Sequence, residues 1–338
     1  LTTNSCTIEN CSCNGKLSGA ANVGGIAGSC GTSSSKVYII KGCTAAGTIT
    51  SSGGYVGGIA GSGVASIYNC ENTAEVQYTG TSSSGGYVGG IVGYYSASSG
   101  TPEISACINK GTIDSNRKWA GGIAGRISSK LVVTSYCENL GTVPAGTTSP
   151  ANAGGICSEA GGSKILYCYT TSDTVCAYDK NETYQGVYCV ADGTSSIDGI
   201  TYCTMEEVEN GTLKDKLNSS GVVVWEQPAA GEGTRPGLNK NGVKKTAMSL
   251  DGMERVFEAE YKNGAFEIEL PHNTDLSAVK AGNFRIEKLY DEAVETLTAE
   301  DAGNGLWKLS VKYGENAATE YSIKLVRAAE AWKPEIPK

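Results

Sequence analysis

Along residues 1–204 the apolar positions do not follow the 3.6-residue period of a helix. They fall in short runs divided by polar, turn-forming stretches, and the runs repeat. One phrase, Val23-Gly24-Gly25-Ile26-Ala27-Gly28, returns at 56–61, 88–93 and 120–125, and in altered form at 153–158. Its second residue falls at Gly24, Gly57, Gly89, Gly121 and Gly154, with spacings of 33, 32, 32 and 33 residues. A second phrase, Ile-x-x-Cys-x-x-x-Gly-x-Ile, alternates with the first, as at Ile40/Cys43/Gly47/Ile49 and Ile104/Cys107/Gly111/Ile113, with looser copies at Ile165/Cys168 and Ile200/Cys203. Asn72, Asn109 and Asn139 each stand two residues after the cysteine of their copy. Ser, Thr, Gly and Tyr stretches such as 79–86 and 144–151 read as loops. A fixed period of this kind marks a repeat protein, and each unit reads as two or three short strands joined by turns.

Glycine, β-branched residues and tyrosine fill these units. A glycine pair in each would cost a helix about 1 kcal/mol per residue relative to alanine. Among β architectures, a propeller blade needs about four strands in about 40 to 45 residues, more than these units supply. The pattern therefore predicts an all-β chain whose first part is a parallel, right-handed β-helix, or solenoid, of about six to seven rungs. Each unit would be one rung, stacked about 4.8 Å from the next.

The Val-Gly-Gly-Ile-Ala-Gly phrases with the interleaved Cys-x-Asn-x-Gly-x-Ile resemble the GLUG-type glycine-rich repeats of bacterial cell-surface proteins, found in adhesin-like chains and beside the catalytic domain of some immunoglobulin A proteases. The resemblance covers residues 1–204. It implies a secreted or surface-displayed bacterial β-helix at the outside of the cell, and no activity of its own. Nothing in the chain looks like the metal-binding helix motif of the protease.

The character of the chain changes after Cys203, since all 13 cysteines lie between Cys6 and Cys203. A helix is expected within 205–217. The whole of 205–242 reads as a C-terminal cap and linker that covers the last rung, with Trp225 and Leu238 as plugs. From 243 to 330, strand-like runs at 256–261, 265–270, 284–289, 295–297, 306–313 and 320–326 alternate as half-buried antiparallel strands do. They resemble, in architecture only, a bacterial immunoglobulin-like β-sandwich without the cysteine pair of antibody domains. Residues 331–338 read as a linker, and the opening Leu1-Thr2-Thr3, in the middle of a repeat, suggests a piece of a longer precursor.

Charge and chemistry narrow the function. A net charge of −8 without a basic stripe argues against nucleic acid, and the apolar runs are too short for membrane insertion. Stacked equivalents Cys11, Cys43, Cys70, Cys107, Cys137, Cys168 and Cys203 would have parallel Cβ directions about 4.8 Å apart, poor geometry for a disulfide. They read as small buried hydrophobes, with inter-rung disulfides and a metal site as the alternatives; the absence of Cys-x-x-Cys and of a nearby histidine weighs against metal. His272 is the only histidine and lies far outside the repeats, so no Ser-His or Cys-His pair can form there.

The expectation is a non-enzymatic protein with no catalytic residues, no cofactor and no metal. Its role would be that of an adhesin, or of a scaffold that binds a glycan or a host surface protein. The alternative is a carbohydrate-active β-helix enzyme with carboxylates near 173–192, from Asp173, Asp179, Glu182 and Asp192. The candidate ligand-binding residues are Tyr55, Tyr87 and Trp119, each two positions before the first glycine of its phrase. In an unbroken strand Tyr55 and Ile59 would share a face, which favours core packing; a bulge at the glycine pair would turn the aromatics outward. Tyr136, Tyr167 and Tyr202, each just before a cysteine, form a second aromatic column with the same ambiguity.

Overall fold

In the computed structural model, which describes residues 5–329 apart from 32–37, 82–85, 116–118, 145–151, 179–181, 192, 194–196, 219–222, 229–234, 263–264, 289–293 and 314–316, the strands of residues 1–207 pair between repeats, in parallel. The second unit of the repeat shows the plan. Tyr38–Lys41, Thr44–Ser51, Val56–Gly57 and Ala60–Gly63 are four strands, each in a different sheet. Each pairs in parallel with its equivalent in the units before and after: Ile8, Ile40, Ile67 and Ile104 line up in one sheet, and Val23, Val56, Val88 and Ala120 in another. This all-β arrangement of long parallel sheets is that of a β-helix. Its units hold four strands where the sequence pattern predicted two or three, because the glycine pair divides one apolar run between two sheets.

A column of left-handed residues marks the corner before each ladder cysteine. Asn10, Asn69, Ala106, Tyr136 and Tyr167 have φ between 50° and 54°, and Gly42, Gly186 and Gly199 take the same place with φ of 61°, 60° and 80°. This column corrects the expected assignment of the last rungs. Cys168 is followed in register by Val187 and then Ile200, since Tyr169 pairs with Tyr188 and Tyr188 with Thr201. Cys203 therefore lies off the cysteine column, opposite Val190, and Tyr202 lies off the Tyr136/Tyr167 column, opposite Cys189. A shorter rung that carries neither a cysteine nor a tyrosine at those two positions intervenes, so spacing alone assigned the residues to the wrong columns.

Two ladders run inside the solenoid. All 13 cysteines are free thiols, and each ladder thiol points at carbonyl oxygens: Cys107 Sγ lies 3.3 Å from Ser105 O and 3.6 Å from Ile67 O, and Cys137 repeats this with Ser135 and Ile104. Burial is the main cause that holds the Cys107 and Cys137 thiols far above the ordinary range. Two residues further on, Asn72 and Asn109 each close a turn by accepting from the amide two residues ahead, while the side chains of Asn72, Asn109 and Asn139 all donate to the carbonyl there. Isoleucines and valines fill the rest of the interior, with Ile49, Ile59, Ile91 and Ile123 wholly buried.

Residues 208–338 form the second unit. The helix expected in 205–217 is two short helices, Met205–Glu209 and Thr212–Leu217, because Gly211 between them has φ of 85°. Val223–Glu226 pairs antiparallel with Gly237–Ser249, which sets Trp225 opposite Leu238 and runs through the expected boundary at 242. Gly237–Ser249 also pairs with Val256–Glu258 and Phe284–Lys288. A second sheet runs in the order Glu260–Lys262, Ala265–Leu270, Thr319–Arg327, Leu306–Tyr313, Val294–Gly303. The expected strand 256–261 is thus divided at Ala259 between the two sheets. Ala265–Leu270 and Thr319–Arg327 are parallel, where antiparallel pairing was expected, since alternation reports which face is buried and says nothing of the neighbour's direction. Phe266, Ile268 and Leu325 share one core with Met248, Phe257 and Phe284. The 331–338 linker lies outside the described residues.

Candidate binding crease

The repeated Gly-Gly-Ile step decides where the aromatic residues point. It ends one strand, such as Tyr87–Gly89, and begins another, Val92–Tyr95, in a different sheet. Val56, Val88, Ile59 and Ile91 are fully buried, whereas Tyr55, Tyr87 and Trp119 are half-buried and stand outside the core. The strand break thus removes the parity that would have placed Tyr55 beside Ile59 in the interior.

Glycine is needed here because the two strands close on each other. A Cβ on Gly57 would fall on the carbonyl oxygen of Ala60 and 2.7 Å from Gly93 N; one on Gly93 would lie 2.7 Å from both N and O of Val56. No side chain fits between backbones that touch in this way. The result is a glycine-lined crease running up the solenoid, with a column of larger residues on each side.

The first column comprises Tyr55, Tyr87, Trp119 and Asn152, with Asn22 at its start; Asn22 Oδ1 accepts the Tyr55 amide at 3.2 Å. The second column is Ser29, Ser62, Tyr94, Arg126, Glu159 and Tyr178. The columns meet on a diagonal over the first rungs, where Asn22, Tyr55 and Tyr87 each touch the residue of the second column that is one rung further on. Asn22 Nδ2 donates to Ser62 Oγ at 2.8 Å, the Tyr55 ring stacks on Tyr94 with centroids 4.6 Å apart, and Arg126 Nη1 donates to the Tyr87 hydroxyl at 2.7 Å. Tyr94 and Ser128 hydroxyls share a 2.8 Å hydrogen bond.

Ring packing continues from Tyr87 to Trp119, centroids 6.0 Å apart, and then changes. Trp119 meets Tyr178 edge to face, at 6.4 Å and 87°. That pair forms an open corner at which Tyr178 is 46% exposed. Beside it Arg126 is held twice by Glu159, Nε to Oε2 at 3.1 Å and Nη2 to Oε1 at 3.2 Å, and lies 5.3 Å over the Tyr87 ring. Burial works against the Arg126 charge, but Tyr87 and Glu159 outweigh it and its pKa lies above the ordinary value. The Tyr55 hydroxyl is raised first by burial, then by its neighbours Tyr94 and Tyr87.

All three expected residues thus fall on one side of the crease. Tyr94, Arg126, Glu159 and Tyr178 were missed. The first three follow directly after the last residue of their phrase, Gly93, Gly125 and Ser158, a signal present in the repeat alignment; Tyr178 belongs to a short rung with no Val-Gly-Gly phrase to mark it. The second aromatic column keeps two members, Tyr136 and Tyr167, stacked at 5.6 Å and 9°.

Of the carboxylates weighed for catalysis, Asp179 and Asp192 lie outside the described residues. Asp173 is exposed, with its carbonyl taken by the Tyr202 hydroxyl at 2.7 Å, and Glu182 Oε1 accepts the Gly162 amide at 3.3 Å. His272, in the second unit, sets Nδ1 2.9 Å from Ala328 O. Among the described residues no three His, Cys, Asp or Glu side chains converge as a metal site would require, and no helix is long and apolar enough to cross a membrane. No family model matches the chain, and no curated protein or solved structure matches it.

Proposed function

We propose that this chain is a non-enzymatic bacterial binding scaffold, displayed outside the cell, that holds a glycan in the aromatic crease of its β-helix. The reading rests on one observation: five aromatic residues from four rungs, Tyr55, Tyr87, Tyr94, Trp119 and Tyr178, gather outside the core along one line. Rings that served only to stabilise the fold would bury more area on the inside, where burial is worth about 25 cal/mol per Å². Rings left at the surface, with Tyr hydroxyls and an Arg-Glu pair beside them, offer the mixed apolar and hydrogen-bonding surface that a sugar ring needs. The resemblance of the repeats to GLUG-type repeats supports surface display, and the second unit is read as an immunoglobulin-like spacer.

A glycan array probed with the intact chain tests this. Binding to a defined set of glycans that is lost in the Trp119→Ala, Tyr178→Ala double variant, with unchanged melting, supports the reading. An array on which the intact, folded chain retains nothing overturns it.

A further inference from the structure

We infer that the crease takes an uncharged sugar ring, seated in the corner between Trp119 and Tyr178, and that Arg126, its charge balanced by the buried Glu159, donates to the hydroxyls of that ring; this rests on the glycan reading above. Two observations carry it. The first is the change of ring geometry along the crease. Tyr55, Tyr87 and Tyr94 lie at interplanar angles of 27° to 37°, so these rings cover one another, whereas Trp119 and Tyr178 stand at 87° and form two walls. The next residue of the first column is Asn152, whose small amide leaves the corner without a third ring.

The second observation is charge. An acidic saccharide is normally met by a guanidinium that can form paired hydrogen bonds to a carboxylate. Arg126 is already paired with Glu159, Nη2 donating to Oε1 while Nε lies 3.1 Å from Oε2 without a hydrogen bond, and gives Nη1 to the Tyr87 hydroxyl. Among the described residues of the two columns it is the only cation, and Glu159 balances it, so these residues together carry no net positive charge. An ion pair fixed in this way still polarises neighbouring hydroxyl groups. The guanidinium, whose side chain is 30% exposed, donates to a hydroxyl of a neutral sugar, while the Glu159 carboxylate, 5% exposed, balances its charge.

The experiment is calorimetric titration of the intact chain with neutral tetrasaccharides (cellotetraose, maltotetraose, mannotetraose) and with tetragalacturonate, each at low and high salt. The expected result is binding of a neutral probe with an affinity that salt leaves unchanged. Tyr178→Ala should weaken that binding about ten- to thirtyfold, while Tyr178→Phe, which keeps the ring, should retain it; both should melt close to the parent, since nearly half of Tyr178 is exposed. Binding of tetragalacturonate alone, falling steeply with salt, would overturn the neutral-sugar inference and leave the glycan reading standing. Equal affinity of the Tyr178→Ala variant would remove the corner as the seat. No heat with any probe, together with a silent array, would take down the glycan reading itself.

Discussion

Asn72 donates from Nδ2 to the Oδ1 of Asn109 at 2.8 Å, and Asn109 repeats the contact to Asn139 at 2.7 Å, so three wholly buried amides form a directed chain through three rungs. The same side chains also close their own turns. Each amide therefore satisfies backbone groups and a neighbour at once, and no apolar residue can replace it without orphaning buried partners. Asn109→Ala should lower stability by roughly 2 to 4 kcal/mol, because the Gly111 carbonyl and Asn139 Oδ1 both lose the donor Nδ2, and the Gly111 amide keeps only its bond to Asn72 O. Asn109→Asp should cost more, since it sets a carboxylate against the Asn139 oxygen. Urea unfolding followed by circular dichroism reads both; a loss under about 1 kcal/mol would show that the ladder is dispensable.

This ladder also shows how far the sequence could be read. The spacing of Asn72, Asn109 and Asn139 from their cysteines was visible, and so were the rung period and the aromatic positions Tyr55, Tyr87 and Trp119. What spacing could not supply was direction. Whether Tyr55 faced in or out depended on the strand break at Gly58, and that depends on backbones meeting across a crease, a contact between residues more than 30 positions apart such as Gly57 and Gly93. The same limit explains Cys203 and Tyr202. Both sit at plausible spacings, and only the left-handed Gly186 and Gly199 reveal the extra short rung that displaces them.

The glycines of the crease carry a sharp prediction. A Cβ on Gly122 would fall on the carbonyl oxygen of Gly155 and on the Asn139 side chain, while one on Gly15 meets nothing within 4 Å. Gly122→Ala should therefore destabilise by more than about 3 kcal/mol, and Gly15→Ala should stay within about 0.5 kcal/mol of the parent. Comparable melting of the two variants would mean that the strands do not approach as closely as described.

The buried thiols make stability depend on alkaline pH. Cys107 and Cys137 are held far above their ordinary range, chiefly by burial, and burial pushes Cys189 up to about 12. An unfolded thiol ionises near pH 8.5. Between that value and the raised folded value the unfolded state holds fewer protons, so stability is complete below about pH 8.5 and falls above it by about 1.4 kcal/mol per pH unit for each such thiol. Melting temperature should accordingly drop from about pH 9 upward, with a shallower slope in Cys107→Ala. At neutral pH, thiol reagents should label the exposed Cys6 and Cys11, the latter at the open end of the ladder, and reach the buried ladder thiols Cys43, Cys70, Cys107, Cys137 and Cys168 only on unfolding. An identical slope with and without Cys107 would show that the ladder thiols do not stay protonated.

The left-handed column allows a change that should stabilise the chain. Ala106 has φ of 54° and is 2% exposed. Its Cβ gains little from burial, while the left-handed backbone costs an L-residue about 1 to 2 kcal/mol. The same column accepts Gly42, Gly186 and Gly199 with no such cost. Glycine gives back part of the gain because its unfolded chain has more freedom, by about 0.5 to 1 kcal/mol. Ala106→Gly should thus raise stability by about 0.5 to 1 kcal/mol. Tyr136, in the same column with φ of 53°, sets the opposite case: its ring is 8% exposed and lies against Tyr167. There the lost ring packing outweighs the relieved backbone, and Tyr136→Gly should lower stability by about 2 kcal/mol or more. Urea midpoints of the two variants, read against the parent, should therefore move in opposite directions; a fall in both would mean that the corner before each cysteine stores no backbone strain.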